Sequence, residues 1–161
     1  MRLEIERKFL VLGDGWRQCA GPASLLRQAY LCLNENISIR VRTSEAGHAS
    51  LTIKSAEAGR ARSEFDYAIP AEEALQLLEL RTGSIVGKRR YRVAHEGHVW
   101  EIDEFLGEND GLVIAEVELS DPDEVFSKPS WAGREVTDEL QYFNASLARL
   151  PFRRWGDERK G

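Results

Sequence analysis

Cysteine is scarce in this chain: Cys19 and Cys32 are the only two among 161 residues. They form no C-x-x-C pair, which argues against a thiolate zinc site. They read instead as packing residues or free thiols of a reducing compartment. Long apolar runs are also missing, since no stretch approaches the roughly 18 residues of a membrane span. The first residues alternate charged and apolar side chains, unlike a secretory leader. The expected location is therefore cytoplasmic, with no membrane partner. A basic excess is absent as well. Twenty-two Lys and Arg against 27 Asp and Glu give a formal charge of −5, which argues against nucleic acid as the main partner. No repeat, linker or low-complexity tract divides the chain. Its length suffices for one domain with a real core, so 1–161 is read as a single domain with a polar tail at about 151–161.

What the chain has in quantity is strand-like alternation of charged and apolar residues. In Leu3-Glu4-Ile5-Glu6-Arg7-Lys8-Phe9-Leu10, Glu4, Glu6 and Lys8 share one face, and Leu3, Ile5, Arg7 and Phe9 the other. A second strand runs from about Leu25 to Leu33, with Gln28, Tyr30 and Cys32 on one side. The third, Ile37 to Thr43, sets Ser38, Arg40 and Arg42 against Ile37, Ile39 and Val41. The fourth, Ala49 to Ser55, carries Thr52 and Lys54 opposite Leu51 and Ile53. The fifth, Arg62 to Ile69, separates Arg62, Glu64 and Asp66 from Phe65 and Tyr67. The sixth, Ser84 to Val93, aligns Lys88, Arg90 and Arg92, with Arg89 facing away. The seventh, His98 to Leu106, carries Glu101 and Asp103, and the eighth, Leu112 to Leu119, carries Glu116 and Glu118.

Helical spacing appears in two places. Ala71 to Arg81 has an apolar stripe through Ala74, Leu75, Leu77, Leu78 and Leu80, begun by Pro70 and closed by Thr82-Gly83. Thr137 to Leu150 has another through Leu140, Phe143, Leu147 and Leu150. Asp121-Pro122-Asp123 reads as the cap of a short helix, followed by a loop through Pro129, Trp131 and Gly133. About eight short strands with hairpin-like turns predict an antiparallel sheet that closes on itself. Two amphipathic helices are available to cover its apolar side from outside. The fold class expected is α+β: a closed eight-stranded antiparallel β-barrel with a charged interior.

A barrel of this size holds side chains or one small ligand, and crowding charge into it is costly. Two like charges about 4 Å apart repel by roughly 4 kcal/mol at an effective dielectric near 20. Several cations facing one cavity therefore call for an anion. Several carboxylates on neighbouring strands call for a divalent cation, because Mg²⁺ and Ca²⁺ prefer oxygen ligands. A metal-bound polyphosphate answers both needs, with Arg forks and Lys ammoniums on its oxygens. The alternating pattern also permits an open sheet with one solvated face stitched by cross-strand salt bridges.

Glu4-Ile5-Glu6-Arg7-Lys8 matches the E-x-E-x-K signature of the CYTH superfamily, the triphosphate tunnel metalloenzymes. Gln28-Ala29-Tyr30-Leu31, Ile39-Arg40-Val41-Arg42, Leu51-Thr52-Ile53-Lys54 and Arg62-Ser63-Glu64-Phe65-Asp66-Tyr67 follow in the family's order. So do Lys88-Arg89-Arg90-Tyr91, Trp100-Glu101-Ile102-Asp103 and Ala115-Glu116-Val117-Glu118. Gly133 to Thr137 and Tyr142-Phe143-Asn144 resemble the bacterial branch. Ala29 and Ser55 stand where the family often has Gly.

The resemblance implies an eight-stranded tunnel acting on triphosphates with Mg²⁺ or Mn²⁺. It implies metal-side carboxylates at Glu4, Glu6, Glu116 and Glu118, with Glu64 and Asp103 as partners or water-mediated ligands. Arg40, Arg42, Lys54, Arg62, Lys88 and Arg90 would bind phosphate. Lys8 and Tyr30 resemble a dyad that activates water. Lys8 serves as a base only if its pKa falls, and its neighbours pull both ways: cations downward, Glu4 and Glu6 upward.

Hydrolysis of inorganic tripolyphosphate is the leading expectation. Cyclisation of ATP to cAMP, hydrolysis of thiamine or nucleoside triphosphates, and a non-catalytic polyphosphate or nucleotide sensor are the alternatives. A thiamine substrate would want an aromatic face, for which Trp16 or Trp131 are candidates. The sequence leaves a homodimer open.

Overall fold

The structure is a computed structural model that describes residues 5–55 and 63–160, Glu158 in its backbone only. Nine strands form one antiparallel sheet: β1 Ile5–Val11, β2 Ser24–Leu33, β3 Ile37–Ser44, β4 Ala49–Ser55, β5 Glu64–Ala68, β6 Thr82–His95, β7 His98–Phe105, β8 Val113–Leu119 and β9 Ala132–Glu135. Their order is β5-β4-β3-β2-β6-β7-β8-β1-β9. The expected eight-stranded closed barrel is thus corrected on two counts. The sheet has a ninth strand, and no ladder joins its edge strands β5 and β9 among the described residues.

The ninth strand was hidden because Ala132-Gly133-Arg134-Glu135 carries no apolar alternation. Its partner fixes it: β9 pairs with β1 through Phe9↔Glu135 and Val11↔Ala132. Two other boundaries moved. Thr82-Gly83 begins β6 instead of closing a helix, and Asp121-Pro122-Asp123 makes a turn, with no helix after it.

Helix α1, Ala71–Glu79, lies where its leucine spacing predicted. The second helical segment is shorter than expected, because a 3-10 turn, Leu140–Tyr142, precedes α2, Asn144–Arg149. Among the described residues no helix is long and apolar enough to cross a membrane. The first residues after Pro151 pack against the body of the protein. Trp155 is buried against Tyr142 and Phe152, and Arg154 pairs with Glu108.

Three apolar clusters cover the sheet. On the face away from the charges, Ala29, Val41 and Leu51 pack under Ala74 and Leu78 of α1. Farther along that same face, Phe9, Trp100, Ile102 and Val117 pack under Trp16, Phe126 and Trp131. The third cluster is on the charged face itself. There Tyr30, Val86, Phe105 and Ile114 meet Leu147 and Ala148 of α2. The second helix therefore sits on the same side as the charged residues, not outside them as amphipathicity alone suggested.

Two local features seat α2 there. Gly83 adopts φ +74°, and a Cβ on it would lie 2.5 Å from the Ala148 carbonyl oxygen, so only glycine allows this approach. A register shift in β2 between Tyr30 and Cys32 turns Leu33, not Cys32, towards this cluster. Arg149 then donates to the Leu33 carbonyl oxygen at 2.6 Å.

Candidate active site

Beyond the apolar patch under α2, the same face becomes ionic. Strand parity puts Lys8 of β1, Gln28 of β2, Arg40 and Arg42 of β3, Thr52 and Lys54 of β4, Glu64 and Asp66 of β5, Lys88 and Arg90 of β6, Glu101 and Asp103 of β7, and Glu116 and Glu118 of β8 on this side. The charges are segregated along the sheet order. Strands β3 and β6 supply Arg40, Arg42, Lys88 and Arg90, β7, β8 and β1 supply carboxylates with Lys8 among them, and a second acidic group, Glu64 and Asp66, lies on edge strand β5.

The cationic part is anchored at Asp103. Lys88 is fully buried and Asp103 is 1% exposed. Lys88 Nζ donates to Asp103 Oδ2 at 2.7 Å, and Arg90 donates from Nε to Oδ1 at 2.7 Å and from Nη2 to Oδ2 at 2.8 Å. Asn144, at the start of α2, accepts from Lys88 Nζ at 3.1 Å. Burial opposes the charge of Asp103, yet Lys88 and Arg90 together hold its carboxyl well below the usual range. Burial pushes Lys88 down to about 8, against the pull of Asp103 and with help from Arg90 and Arg42. Asp103 was expected near a metal. Its oxygens accept from two cations, Lys88 and Arg90.

Arg42 has a different environment. Nε and Nη2 both donate to Gln28 Oε1, at 3.1 and 2.9 Å, and no carboxylate pairs with it among the described residues. Burial first, then the charges of Arg40 and Arg90, push Arg42 down to about 10. Arg40 Nη2 reaches Thr52 Oγ1 at 3.4 Å, and Thr52 donates onward to Asp66 Oδ1 at 2.7 Å. Two buried donors here have no acceptor among the described residues, Gln28 Nε2 and Arg40 Nε. Lys54 lies 3.1 Å from Glu64 near the β5 edge.

The acidic part centres on Lys8. Its ammonium lies 3.3 Å from Glu6 and 3.4 Å from Glu116, over the ring of Phe143 at 4.7 Å. Burial works against its charge, but Glu116 and Glu6 outweigh burial and raise the pKa. The carboxylates that raise it are the ones the family resemblance assigns to a metal, so the base role expected of Lys8 is tied to what those carboxylates hold. Glu6 stands directly opposite Glu118 in the β1–β8 ladder, and Lys8 opposite Glu116. Like charges facing each other across a ladder destabilise it, and their oxygens suit a hard divalent cation. Even so, among the described residues no three His, Cys, Asp or Glu gather as a metal-holding group. Glu4, which shares this face by parity, and Arg62 lie outside the described residues.

Other expected residues are dispersed. Glu64 is on β5, at the far end of the sheet order from Glu6. Tyr30 is buried in the cluster under α2, beside Val86 and Phe105, and no hydrogen bond joins it to Lys8. Trp16 and Trp131 pack on the opposite face with Tyr91 and Trp100, away from the charges. Gln28 and Asn144 went unrecognised as site residues, since neither is charged. The signal for Gln28 was its position on the Tyr30 face of a strand lying between two cationic ones. At the rim beyond Arg42 a pocket of about 550 Å³ is lined by Ser24, Leu26, Ser44, His48 and Ser50.

Comparison with known proteins gives the same family throughout. The CYTH domain family matches residues 2–150. An inorganic triphosphatase of Acetivibrio thermocellus is 45% identical over 155 residues, covering 95% of this chain and 97% of that one. One from Nitrosomonas europaea is 36% identical over 151 residues, covering 90% and 96%. A solved inorganic triphosphatase structure superposes with TM-score 0.69 at 33% identity, over 92% of this chain and 95% of that chain. A Hippeastrum adenylyl cyclase-type protein with a dominant triphosphatase activity shares the fold alone, at TM-score 0.56 and 16% identity over 74% and 81%. On this match of sequence and fold over nearly its whole length, the chain belongs to the CYTH domain family.

Proposed function

We propose that the chain hydrolyses inorganic tripolyphosphate at the charged face, releasing orthophosphate, with Mg²⁺ or Mn²⁺ as cofactor. The observation that carries this reading is the surplus of cation and donor on β2 and β3. Among the described residues Arg42 faces no carboxylate, and Arg40 Nε and Gln28 Nε2 have no acceptor. Buried donors without acceptors are rare, and a polyanion supplies the missing acceptors. The triphosphatase relatives, 45% and 36% identical, favour the same ligand.

In this reading Arg40, Arg42, Lys88 and Arg90 grip the phosphate oxygens, with Lys54 and Arg62 extending the grip towards β5. Fixed cations of this kind stabilise charge that develops in the transition state. Asp103 positions Lys88 and Arg90. Glu6, Glu116 and Glu118, joined by Glu4, would hold the metal, with Glu64 a more distant contributor. When bound, the metal supplies charge neutralisation and Lewis-acid polarisation of the phosphate. Lys8 lies between Glu6 and Glu116, at 3.3 and 3.4 Å, beside the position proposed for the metal. Tyr30 supports the site from the apolar patch under α2, beside Val86 and Phe105.

The rim pocket beside Arg42 favours a second reading, in which an organic group of a larger triphosphate lies there. Among the described residues its lining offers the His48 ring but no Phe, Tyr or Trp to stack on a base. Turnover of tripolyphosphate, ATP and thiamine triphosphate with Mg²⁺ and Mn²⁺, scored for both orthophosphate and cAMP, tests both readings. Tripolyphosphate is expected to be the best substrate, and dominant cAMP formation would overturn the first reading.

A further inference from the structure

We propose that Gln28 is a ligand-binding residue of this site: its side-chain N–H donates to the oxygens of a polyphosphate that spans the cations of β3 and β6. The inference rests on the reading of the charged face as a polyphosphate site. Its grounds are position, orientation and burial.

Position comes from the sheet order. Strand β2 lies between β3 and β6, so the Arg40–Arg42 pair and the Lys88–Arg90 pair are separated by two strand spacings, about 10 Å. A ligand touching both pairs must cross over the β2 side chains between them. Gln28 faces Arg42 on one side of that strand and Val86 on the other in the ladder registers. It is the polar side chain that β2 offers there, since Leu26 and Tyr30 flank it on the same face.

Orientation is fixed by Arg42. An amide is ambiguous between its oxygen and nitrogen unless the partners decide. Here two guanidinium N–H groups point at one atom of Gln28, which must therefore be the oxygen. The –NH₂ is left facing away from Arg42, without an acceptor.

Burial makes this arrangement costly in the free protein. Gln28 is 0% exposed, and a buried donor left unsatisfied works against folding. Arg40 Nε, one strand away, is unsatisfied in the same way. Two adjacent orphans on a face crowded with cations share one missing acceptor. Because the Gln28 donor is neutral, its contribution adds a hydrogen bond without adding to the repulsion among the four cations.

A merely structural Gln28 would act only by bracing Arg42, and a double-mutant cycle separates the two roles. Tripolyphosphate is titrated into wild type, Gln28→Met, Arg42→Ala and the double variant, with chelator present so that no turnover occurs, and the melting temperature of each is recorded. The inference expects Gln28→Met to weaken binding about tenfold, the weight of one hydrogen bond to a charged group. Most of that loss should persist in the Arg42→Ala background. In that background the same substitution should leave the melting temperature unchanged or raise it, because it removes a buried amide with no partner. No effect of Gln28→Met on binding once Arg42 is absent would overturn the inference. If Gln28→Met fails to fold, Gln28→Leu in the Arg42→Ala background gives the same comparison. Failure of wild type to bind tripolyphosphate, with or without Mg²⁺, would instead sink the functional reading beneath it.

Discussion

Strands β3 and β6 and strands β8 and β1 carry their surplus charge in opposite ways. On β6, Lys88 and Arg90 share buried Asp103 and Arg90 also meets Glu101 at 3.2 Å, whereas on β3 the cations lean on neutral groups, Gln28 and Thr52. The positive part is thus assembled before any ligand arrives, with donors left over. On β8 and β1, Glu6 and Glu118 face one another in the ladder, and Lys8 links Glu6 to Glu116. Lys88 at the heart of the positive part is fully buried and bonded to Asp103 and Asn144, while Glu118 at the rim of the negative part is exposed. A preorganised cation set suits a fixed anion. A partly open carboxylate set suits an exchangeable metal with water in its shell.

Breaking the cationic part at its anchor should have the largest effect. Lys88→Met leaves buried Asp103 with Arg90 alone, and losing one partner of a buried pair costs about 3 kcal/mol of stability. The loss of a transition-state cation should lower kcat/KM on the order of 10²-fold. Thermal melts and steady-state kinetics read the two effects separately. On the acidic side, Glu118→Gln should raise the Mg²⁺ concentration for half-maximal activity roughly tenfold, the weight of one ~1.4 kcal/mol contact, with little change in tripolyphosphate binding under chelator.

The pH profile should divide stability from activity. The folded pKa of Lys88, about 8, lies below its ordinary 10.5. Between those values the unfolded chain binds more protons at this residue than the folded one, so its contribution makes stability rise with pH. Over the same window its ammonium discharges, and kcat/KM should fall as pH passes about 8. In Lys88→Arg, which stays charged, that fall should disappear. The smallest effect is expected on the opposite face. Arg7 is paired with Glu135 at the half-exposed surface of β1 and β9, and Arg7→Ala should cost no more than about 1 kcal/mol with kcat/KM unchanged.

These contrasts show which parts of the molecule were legible in its sequence. Period-two alternation assigned Lys8, Arg42, Lys88 and Glu116 to one face, because parity survives along each regular strand. It failed at the β2 bulge, where one extra residue turned Leu33 into the place expected for Cys32. Closure was not legible either, since it depends on how the edge strands β5 and β9 meet, and neither encodes its neighbour in its own pattern. The second helix has a clear apolar stripe, but a stripe does not say which side of a sheet it covers. Gly83 and the Arg149–Leu33 contact decide that. The fate of Asp103 was hidden for a related reason. Parity places a carboxylate on a face but cannot say whether a metal or a lysine reaches it first.

The division of labour across the charged face can be read directly from crystals grown with Mn²⁺ and tripolyphosphate, using the anomalous signal to locate the metal. The account predicts Mn²⁺ among Glu6, Glu116 and Glu118, with phosphate oxygens on Arg40, Arg42, Lys88 and Arg90. Manganese bound away from β1 and β8, or tripolyphosphate seated outside the β3–β6 cations, would contradict it.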